Sequence, residues 1–455
     1  MRPGPQIAFL VPAVRLSGGV NVVMEHAWNL QRDHGMNVTV VITHHPDDQV
    51  WPFPALAEVE VARIGELDGR EFDLAIATFW DTVPYLWRVP AKRCAYFVQS
   101  LEDRFYEPAA MESELARLTY LLGLPVITEA RWISDALSLI TPPSQRFYVR
   151  NGVSKETFGP VPETPPQHDG PLRILLEATD AWYKGLDEAL DAIRHMQCEK
   201  IVTAVTSTGL DRSRLGDVDV IHEPMPQDRL REVYLDADVL LKTSRVEGMY
   251  GPPIEAFHSG ATLVTTAVTG HDEYVEHGWN ALVVDWDDAR GTARALDLLA
   301  TDRRLLGFLR TNALSTARLW PSWSQSTEFF AAALNVLLDA QPDPTFHAVR
   351  ALHDDARFRF EQFSFDRHQL KVKVQSDGFH IEKLDALLAH ANQDLSRLSA
   401  VESQLEDVRR ELAELEQSKW LRLLSVIERP ARNIRLGKGS VRGRIVAASR
   451  RAGNG

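Results

Sequence analysis

The sequence predicts an α/β protein of two lobes, each a parallel sheet covered by helices, with a helical extension behind them. Three observations carry this reading. Apolar runs of strand length alternate with helical patterns across residues 1–165, and the alternation restarts across 166–340. A proline-rich stretch, VPETPPQHDGP (161–171), separates the halves as a linker would. Beyond residue 380 the strand pattern gives way to apolar residues at heptad spacing.

Composition narrows the classes. The chain has 455 residues, too many for one hydrophobic core and enough for two or three domains. A hydrophobic content of 44% and a charged content of 25% are those of a globular protein. Cys94 and Cys198 stand far apart, with no disulfide framework or metal spacing, as in a reducing compartment. The net charge of −13 argues against a nucleic-acid partner, which needs a basic face. No apolar stretch approaches the ~18 residues of a membrane-spanning helix.

The elements follow in order. IAFLVPAV (7–14) is short, contains Pro12 and leads to Arg15 without a cleavage site, so it reads as a buried strand and not a signal core. Gly18 and Gly19 form a loop ahead of a helix starting near Val20. That loop is either a plain tight turn or a place where backbone N–H groups approach a phosphate. Strand runs continue with VTVVIT (38–43), FDLAIAT (72–78), CAYFVQ (94–99), PVITEA (125–130) and RFYVRNGV (146–153). The second half repeats the pattern with LRILLEA (172–178), KIVTAVT (200–206), VDVIHE (218–223), ADVLLKT (237–243), ATLVTT (261–266) and NALVVD (280–285). Two such lobes joined by a linker make a cleft, the default ligand site.

RVEGMYGPPIEA (245–256) belongs at that cleft. Glu247 and Glu255 bracket a stretch holding Gly248, Gly251, Pro252 and Pro253, read as a loop before a short helix that starts at Pro253. Glu255 then falls in the first helical turn, at the sheet edge where open α/β folds bind polar ligands. A second such loop runs from Thr269 to Glu273. Glu273 is either ligand-facing or a first-turn acid favoured by the helix dipole.

SGG (17–19), RNGVSKETF (150–158), YKGLDEAL (183–190), RVEGMYGPPIEAFHSG (245–260) and TGHDEYVEHGWNALVVD (269–285) occur in one order. That order and those spacings resemble the family 4 glycosyltransferases of the GT-B fold, retaining enzymes that use nucleotide sugars. The resemblance covers about residues 5–340. It implies an acceptor-side Rossmann-like lobe at 1–165 and a nucleotide-sugar-binding Rossmann-like lobe at 166–340, with parallel sheets facing the cleft.

The resemblance also implies roles. Lys184 would be the cation on the donor diphosphate, and Glu247 would face the donor sugar near the anomeric centre. Glu255 would accept hydrogen bonds from the ribose hydroxyls. Gly18, Gly19, Gly270 and His271 would line the phosphates. Relatives carry an arginine five residues before the lysine; here that position is Thr179, with Lys242 as a substitute cation. Thr269 stands where glycine is common. DWDD (285–288) reads as a turn, because a D-x-D metal site belongs to a different transferase fold. No metal and no cofactor beyond the donor substrate is expected.

In the first lobe relatives place a histidine after the fourth strand. Here Gln99 stands there, followed by Glu102 and Asp103, a variant resembling bacterial surface-polysaccharide transferases that include rhamnosyltransferases. Trp80 and Asp81 are expected to reach the cleft, the ring for a sugar face and the acid for acceptor hydroxyls; a core tryptophan is the alternative. The implied function moves a sugar from a nucleotide-sugar donor to a glycan or lipid-linked acceptor in bacterial cell-surface polysaccharide synthesis, such as O-antigen. Thr179, Thr269 and Gln99 keep a second reading open, a catalytically inactive scaffold of a polysaccharide synthase complex. An epimerase is a third, which the paired glutamates and NGV argue against.

Residues 341–380 read as a connecting segment. Apolar residues then recur at Ile381, Leu384, Leu388, Ala391, Leu395, Leu398, Val401, Leu405, Val408, Leu412 and Leu415. The steps alternate three and four, apart from one extra three after Leu398, which overwinds a coil locally. A coiled coil over 381–417 is expected, joining copies into a homo-oligomer through 381–415; a helix folded onto the lobes is the alternative. Residues 418–455 carry a net +9, which leaves −22 for residues 1–417. The basic amphipathic pattern over 418–451, with Trp420, suits an anionic membrane surface, against the alternative of a tail docked on the acidic body. The expected location is cytoplasmic, peripheral on the inner face of the plasma membrane.

Overall fold

The computed structural model describes residues 4–44, residues 53–340 except 109, 142, 156, 208, 209 and 226, and residues 381–417. The chain divides into two units, residues 1–360 and 361–455.

The first unit holds two parallel sheets. One contains β1 (Gln6–Val11), β2 (Asn37–Ile42), β3 (Glu60–Arg63), β4 (Leu74–Ala77), β5 (Cys94–Val98), β6 (Val126–Thr128) and β7 (Arg146–Tyr148), in the order β3-β2-β1-β4-β5-β6-β7. The other contains β8 (Leu172–Ala178), β9 (Lys200–Thr206), β10 (Val220–His222), β11 (Val239–Lys242), β12 (Thr262–Thr266) and β13 (Ala281–Val284), in the order β10-β9-β8-β11-β12-β13. Every ladder is parallel. Helices cover both faces, so central strands such as Ile7–Val11 and Val239–Leu241 are buried on both sides and read as unbroken apolar runs. β3 was invisible to that pattern. It is an edge strand of four residues, EVAR, that buries Ala62 and exposes Glu60 and Arg63.

The helices are α1 (Gly18–His34), α2 (Met111–Tyr120), α3 (Arg131–Leu137), α4 (Leu186–His195), α5 (Gln227–Leu235), α6 (Gly251–Ser259), α7 (Ala289–Thr301), α8 (Arg303–Leu319) and α9 (Trp323–Asp339). α9 follows the second sheet in sequence but packs on α1. Trp323, Phe330, Leu334 and Leu337 enter the core built around Phe9 and Val23. His26 of α1 stacks on Phe330 at 4.3 Å and shares a 2.9 Å hydrogen bond between Nδ1 and Thr327 Oγ1. Burial pulls its pKa down to about 3, so the ring is neutral. The chain thus crosses between the sheets twice, and the crossings touch. Val153 bridges to Ser322 in parallel, the Val153 N–H donates to Pro321 O (3.0 Å), and Trp320 Nε1 donates to Asn151 O (3.0 Å).

In the second unit α10 (Ile381–Gln417) is one helix of 37 residues, about 55 Å at 1.5 Å per residue. None of its side chains with a described environment is buried, and the heptad residues Leu395 and Val408 are 44% and 39% exposed. The connecting segment 341–380 and the basic segment 418–455 lie outside the described residues. Among the described residues, no helix is long and apolar enough to cross a membrane.

Candidate functional site

β8 and β11 are neighbours, so the loops leaving their C-terminal ends meet. After β8 the chain makes a tight turn, Trp182–Lys184, and enters α4 through Gly185. Gly185 has φ +71°, and a Cβ there would stand 2.2 Å from Thr243 O, so only glycine lets the turn press on the end of β11. Thr243 Oγ1 donates to Gly185 O at 2.6 Å. That contact delivers Lys184 to the glutamate loop, where its Nζ donates to Glu247 Oε2 at 2.8 Å.

Lys242 Nζ lies 3.3 Å from Glu247 Oε1 and also pairs with Glu177, giving a row Lys184–Glu247–Lys242–Glu177. The Lys242 and Glu247 side chains are only 5% and 7% exposed, whereas Lys184 keeps 27%, so Lys184 is the cation of the row that a ligand can reach. Burial alone would raise the Glu247 pKa, but Lys184 and Lys242 hold it down at about 2. Burial likewise pulls on Lys242, but Glu177 and Glu247 outweigh it and keep the pKa above the usual lysine value. Expected as a substitute cation for the donor, Lys242 is instead sealed between two carboxylates, where it fixes Glu247.

The helix after this loop starts earlier than expected. α6 begins at Gly251 and runs through both prolines, which sit where a helix leaves its N–H groups without internal acceptors. Glu255 therefore lies two residues further in, and its Oε2 accepts from Tyr234 OH at 3.2 Å. Thr269 Oγ1 donates to Glu247 O (3.1 Å), which ties the second loop to the first. Gly270 packs against the Gly248 carbonyl and the Trp132 indole. His271 Nδ1 hydrogen-bonds Val268 O (2.5 Å), and Thr179 Oγ1 accepts from Ala181 N–H (3.4 Å); both close their own turns.

Across the cleft, Gly18 and Gly19 are the first residues of α1 and not a loop before it. Ser17 is the cap, its Oγ accepting from Val20 N–H at 3.2 Å. Gln99 lies against this turn: its Nε2 donates to Thr78 O (3.1 Å), and its Oε1 is 3.2 Å from where a Cβ on Gly19 would stand. Trp80 is half-buried, and its Nε1 donates to Tyr106 OH (3.0 Å). The Asp81 carboxylate sits 3.4 Å from His44 Nε2. Glu102, expected in the pocket, is buried beneath it instead. Its Oε2 accepts from Trp80 N–H (2.6 Å) and Tyr96 OH (2.9 Å), and burial drives its pKa well above the carboxylate range. Burying an acid among donors makes it a brace for the Trp80 backbone.

Glu129 and Trp132 at this junction, and Glu177 of the ion row, were not singled out from sequence. Glu129, at the end of β6, accepts from Asn151 Nδ2 (2.8 Å) and from Met249 N–H of the glutamate loop (2.9 Å). Burial raises its pKa to about 8. Trp132 Nε1 donates to Gly248 O at 2.9 Å. Glu273 reaches across to the start of α3, its Oε1 accepting from Arg131 N–H and Trp132 N–H and its Oε2 from Tyr148 OH (3.0 Å). Of its two readings, this is an acid at a helix N-terminus, but the helix belongs to the other lobe. A signal existed for Glu129 and Glu177. Each is an acid at the C-terminal end of an apolar strand, as Lys242 is a base at the end of one. Among the described residues, no group of three or more His, Cys, Asp or Glu is arranged to hold a metal ion.

Residues 174–302, from β8 through α7, match the family described as glycosyl transferases group 1. The match lies within the second lobe and covers its central strands. Solved structures match both lobes. Sucrose-phosphate synthase from Thermosynechococcus elongatus superposes with a TM-score of 0.61 at 18% identity, over 74% of this chain and 100% of that one. HepE from Anabaena, in complex with UDP and glucose, gives 0.59 at 15%, over 73% and 100%. The lipopolysaccharide outer core galactosyltransferase WaaB gives 0.54 at 15%, over 72% and 99%. The fold is GT-B. No protein of curated function matches the sequence itself. In GT-B terms the Lys184–Glu247 row lies in the second lobe, and Gly248 beside it packs against Gln99 O of the first.

Proposed function

We propose that this GT-B chain is a retaining, metal-independent glycosyltransferase. It moves a sugar from a nucleotide-sugar donor to a glycan or lipid-linked acceptor in surface-polysaccharide synthesis. The observation that carries the reading is the Lys184–Glu247 pair, set at the C-terminal edge of β8 and β11 within the residues that match the group 1 glycosyltransferases. Lys184 keeps an open side, so its ammonium can offset charge that develops on a departing nucleotide phosphate. Glu247 is held as an anion and offers a sugar hydroxyl a fixed acceptor, while Glu255 takes the ribose diol. The acceptor hydroxyl attacks from the face the diphosphate leaves. A new C–O bond replaces the bond to the nucleotide, and a phosphate oxygen takes the proton. The UDP and glucose bound by HepE and the lipopolysaccharide role of WaaB support a nucleotide-sugar donor and a surface glycan. The Gln99 variant supports a deoxyhexose such as rhamnose. The +9 segment 418–455 supports work at the cytoplasmic face of an anionic membrane.

The test is nucleotide release from UDP-, GDP- and dTDP-sugars, with and without EDTA. One donor class should be hydrolysed at a rate EDTA does not change; collapse of the rate with recovery on added Mg²⁺ would refute metal independence. The inactive-scaffold reading draws on one observation, the sealing of Lys242, which leaves the row a single reachable cation. Silence across the donor panel from folded protein would favour it.

A further inference from the structure

An aromatic band crosses the cleft beside the ion row. On the first-lobe side Trp80 and Tyr106 meet edge to face at 6.0 Å, joined by the Trp80 Nε1 hydrogen bond. The neighbouring Phe105 stacks on Tyr183 of the second lobe, with centroids 4.9 Å apart and planes 18° from parallel. Trp182 continues the band, perpendicular to Tyr183 at 5.9 Å, and its Nε1 donates to Phe105 O (3.2 Å). The band ends at the site, since Lys184 Nζ lies 5.6 Å over the Tyr183 ring.

The rings are held in place and one is uncovered. Glu102 bonds the Trp80 backbone and lies at the start of the turn that carries Phe105, so the first-lobe half is set by a buried carboxyl. Trp182 is 54% exposed in spite of its two contacts, and so presents a large ring to solvent at the mouth of the cleft. Polar groups interrupt the rings throughout. The Tyr106 hydroxyl sits close enough to Asp81 that, after burial, the Asp81 charge helps push its pKa up to about 12.

We propose that this band is the platform for a saccharide acceptor, with a sugar ring lying on Trp182 and the Phe105–Tyr183 stack. The proposal rests on the transferase reading for what happens next, but not for binding. A pyranose has faces of C–H groups and a rim of hydroxyls, which need apolar ring faces flanked by donors and acceptors. Trp182 supplies the open face, backed by the Phe105–Tyr183 stack; Tyr106, Asp81 and Lys184 supply the rim. An acyl or isoprenoid chain would need an unbroken apolar groove, which this alternation denies it. The platform also delivers an acceptor hydroxyl to the end of the band where Lys184 and Glu247 stand.

Saturation-transfer NMR on the full chain tests this. The probes are methyl α-L-rhamnopyranoside and octyl β-D-glucopyranoside below its micelle concentration, which carries ring and alkyl chain in one molecule. The sugar-ring protons should receive saturation. Trp182→Ala should cut the transfer about fivefold and Trp182→Phe should restore most of it, as a stacking contact requires. Trp182 is largely exposed, so its loss leaves the fold in place, and Trp286→Ala, another exposed tryptophan, should change nothing. Saturation favouring the octyl chain would assign the band to a lipid and overturn the proposal. So would the absence of ring saturation, or equal transfer in Trp182→Ala. Donor hydrolysis by the unaltered chain is read separately. Ring binding without hydrolysis sinks the transferase reading and leaves the platform standing; hydrolysis without ring binding sinks the platform alone.

Discussion

Lys184 and Glu247 stand 63 residues apart in sequence and meet in a 2.8 Å hydrogen bond, each drawn there by a different strand of one sheet. Removing either partner has a different consequence. In Lys184→Ala, Glu247 keeps Lys242, so the fold should survive while turnover of an identified donor falls by one to two decades, from loss of about 1.5–3 kcal/mol of charge-assisted bonding. Glu247→Gln leaves Lys242 buried with Glu177 as its remaining carboxylate partner in the row, so Tm should fall along with activity. Calorimetry beside a rate assay checks both. Equal Tm losses in the two variants would contradict the arrangement.

Glu255 should act on the nucleotide and not on the bond being broken. Glu255→Gln is expected to raise the donor KM by one to two decades with kcat largely kept, again from about 1.5–3 kcal/mol. Tyr234→Phe, which removes the 3.2 Å bond to Oε2, should shift KM in the same direction by less. A fall in kcat at unchanged KM would place Glu255 elsewhere.

Much of this was legible in the residues. The buried strands announced themselves as apolar runs, and YKG and the glutamate loop turned out to share one sheet edge. The periodicity of a strand or helix encodes which face is buried, but not which element from the other lobe covers it. For that reason the bond from Met249 to Glu129, the bond from Trp132 to Gly248 and the reach of Glu273 to α3 were not readable, and α9 gave no sign that its partner would be α1. α6 began early because the rule that prolines break helices does not apply in the first turn, where the missing N–H has no helical acceptor. Glu102 looked like a cleft acid because its burial depends on Tyr96 and Tyr120, which only the fold brings around it.

Stability should depend on pH through Glu129. Its pKa rises from 4.5 to about 8 on folding, so between those values the folded chain binds a proton that the unfolded chain has released. Its contribution is therefore complete below about pH 4.5 and is lost as the pH climbs through about 8. Gln is a neutral mimic that can still accept from Met249 N–H and, if the Asn151 amide turns over, donate to its oxygen. Tm measured from pH 5 to pH 9 should drop more in the native chain than in Glu129→Gln. Parallel curves would show that Glu129 is ionised throughout.

Gly248 sets how close the lobes come. A Cβ at this position would stand 1.8 Å from Gln99 O and 2.9 Å from Glu129 Oε1. Gly248→Ala should therefore hold the lobes apart, enlarge the radius of gyration in X-ray scattering and lower turnover, with the second-lobe core intact. An unchanged scattering curve would mean that the loop yields and not the lobes.

α10 should associate with copies of itself. Leu398 and Leu405 are heptad residues that the chain's own residues leave partly exposed. Leu398→Asp with Leu405→Asp should reduce the mass measured by light scattering to that of one chain, while the unaltered chain gives a multiple. A native chain that is monomeric in dilute solution would refute the association.

The paired crossings between the lobes constrain how the cleft works. A body tethered by one strand can swing or spin in any direction. Here the tethers run side by side at Val153 and Ser322, with Val153 N–H donating to Pro321 O, so they should move as one hinge and leave rotations about the line through it. Gly248 against Gln99 and Glu273 against α3 then form the latch of a door whose arc is fixed in advance. Any ligand held between the lobes should be met by the same swing, and the glutamate loop should return to one register over the first lobe.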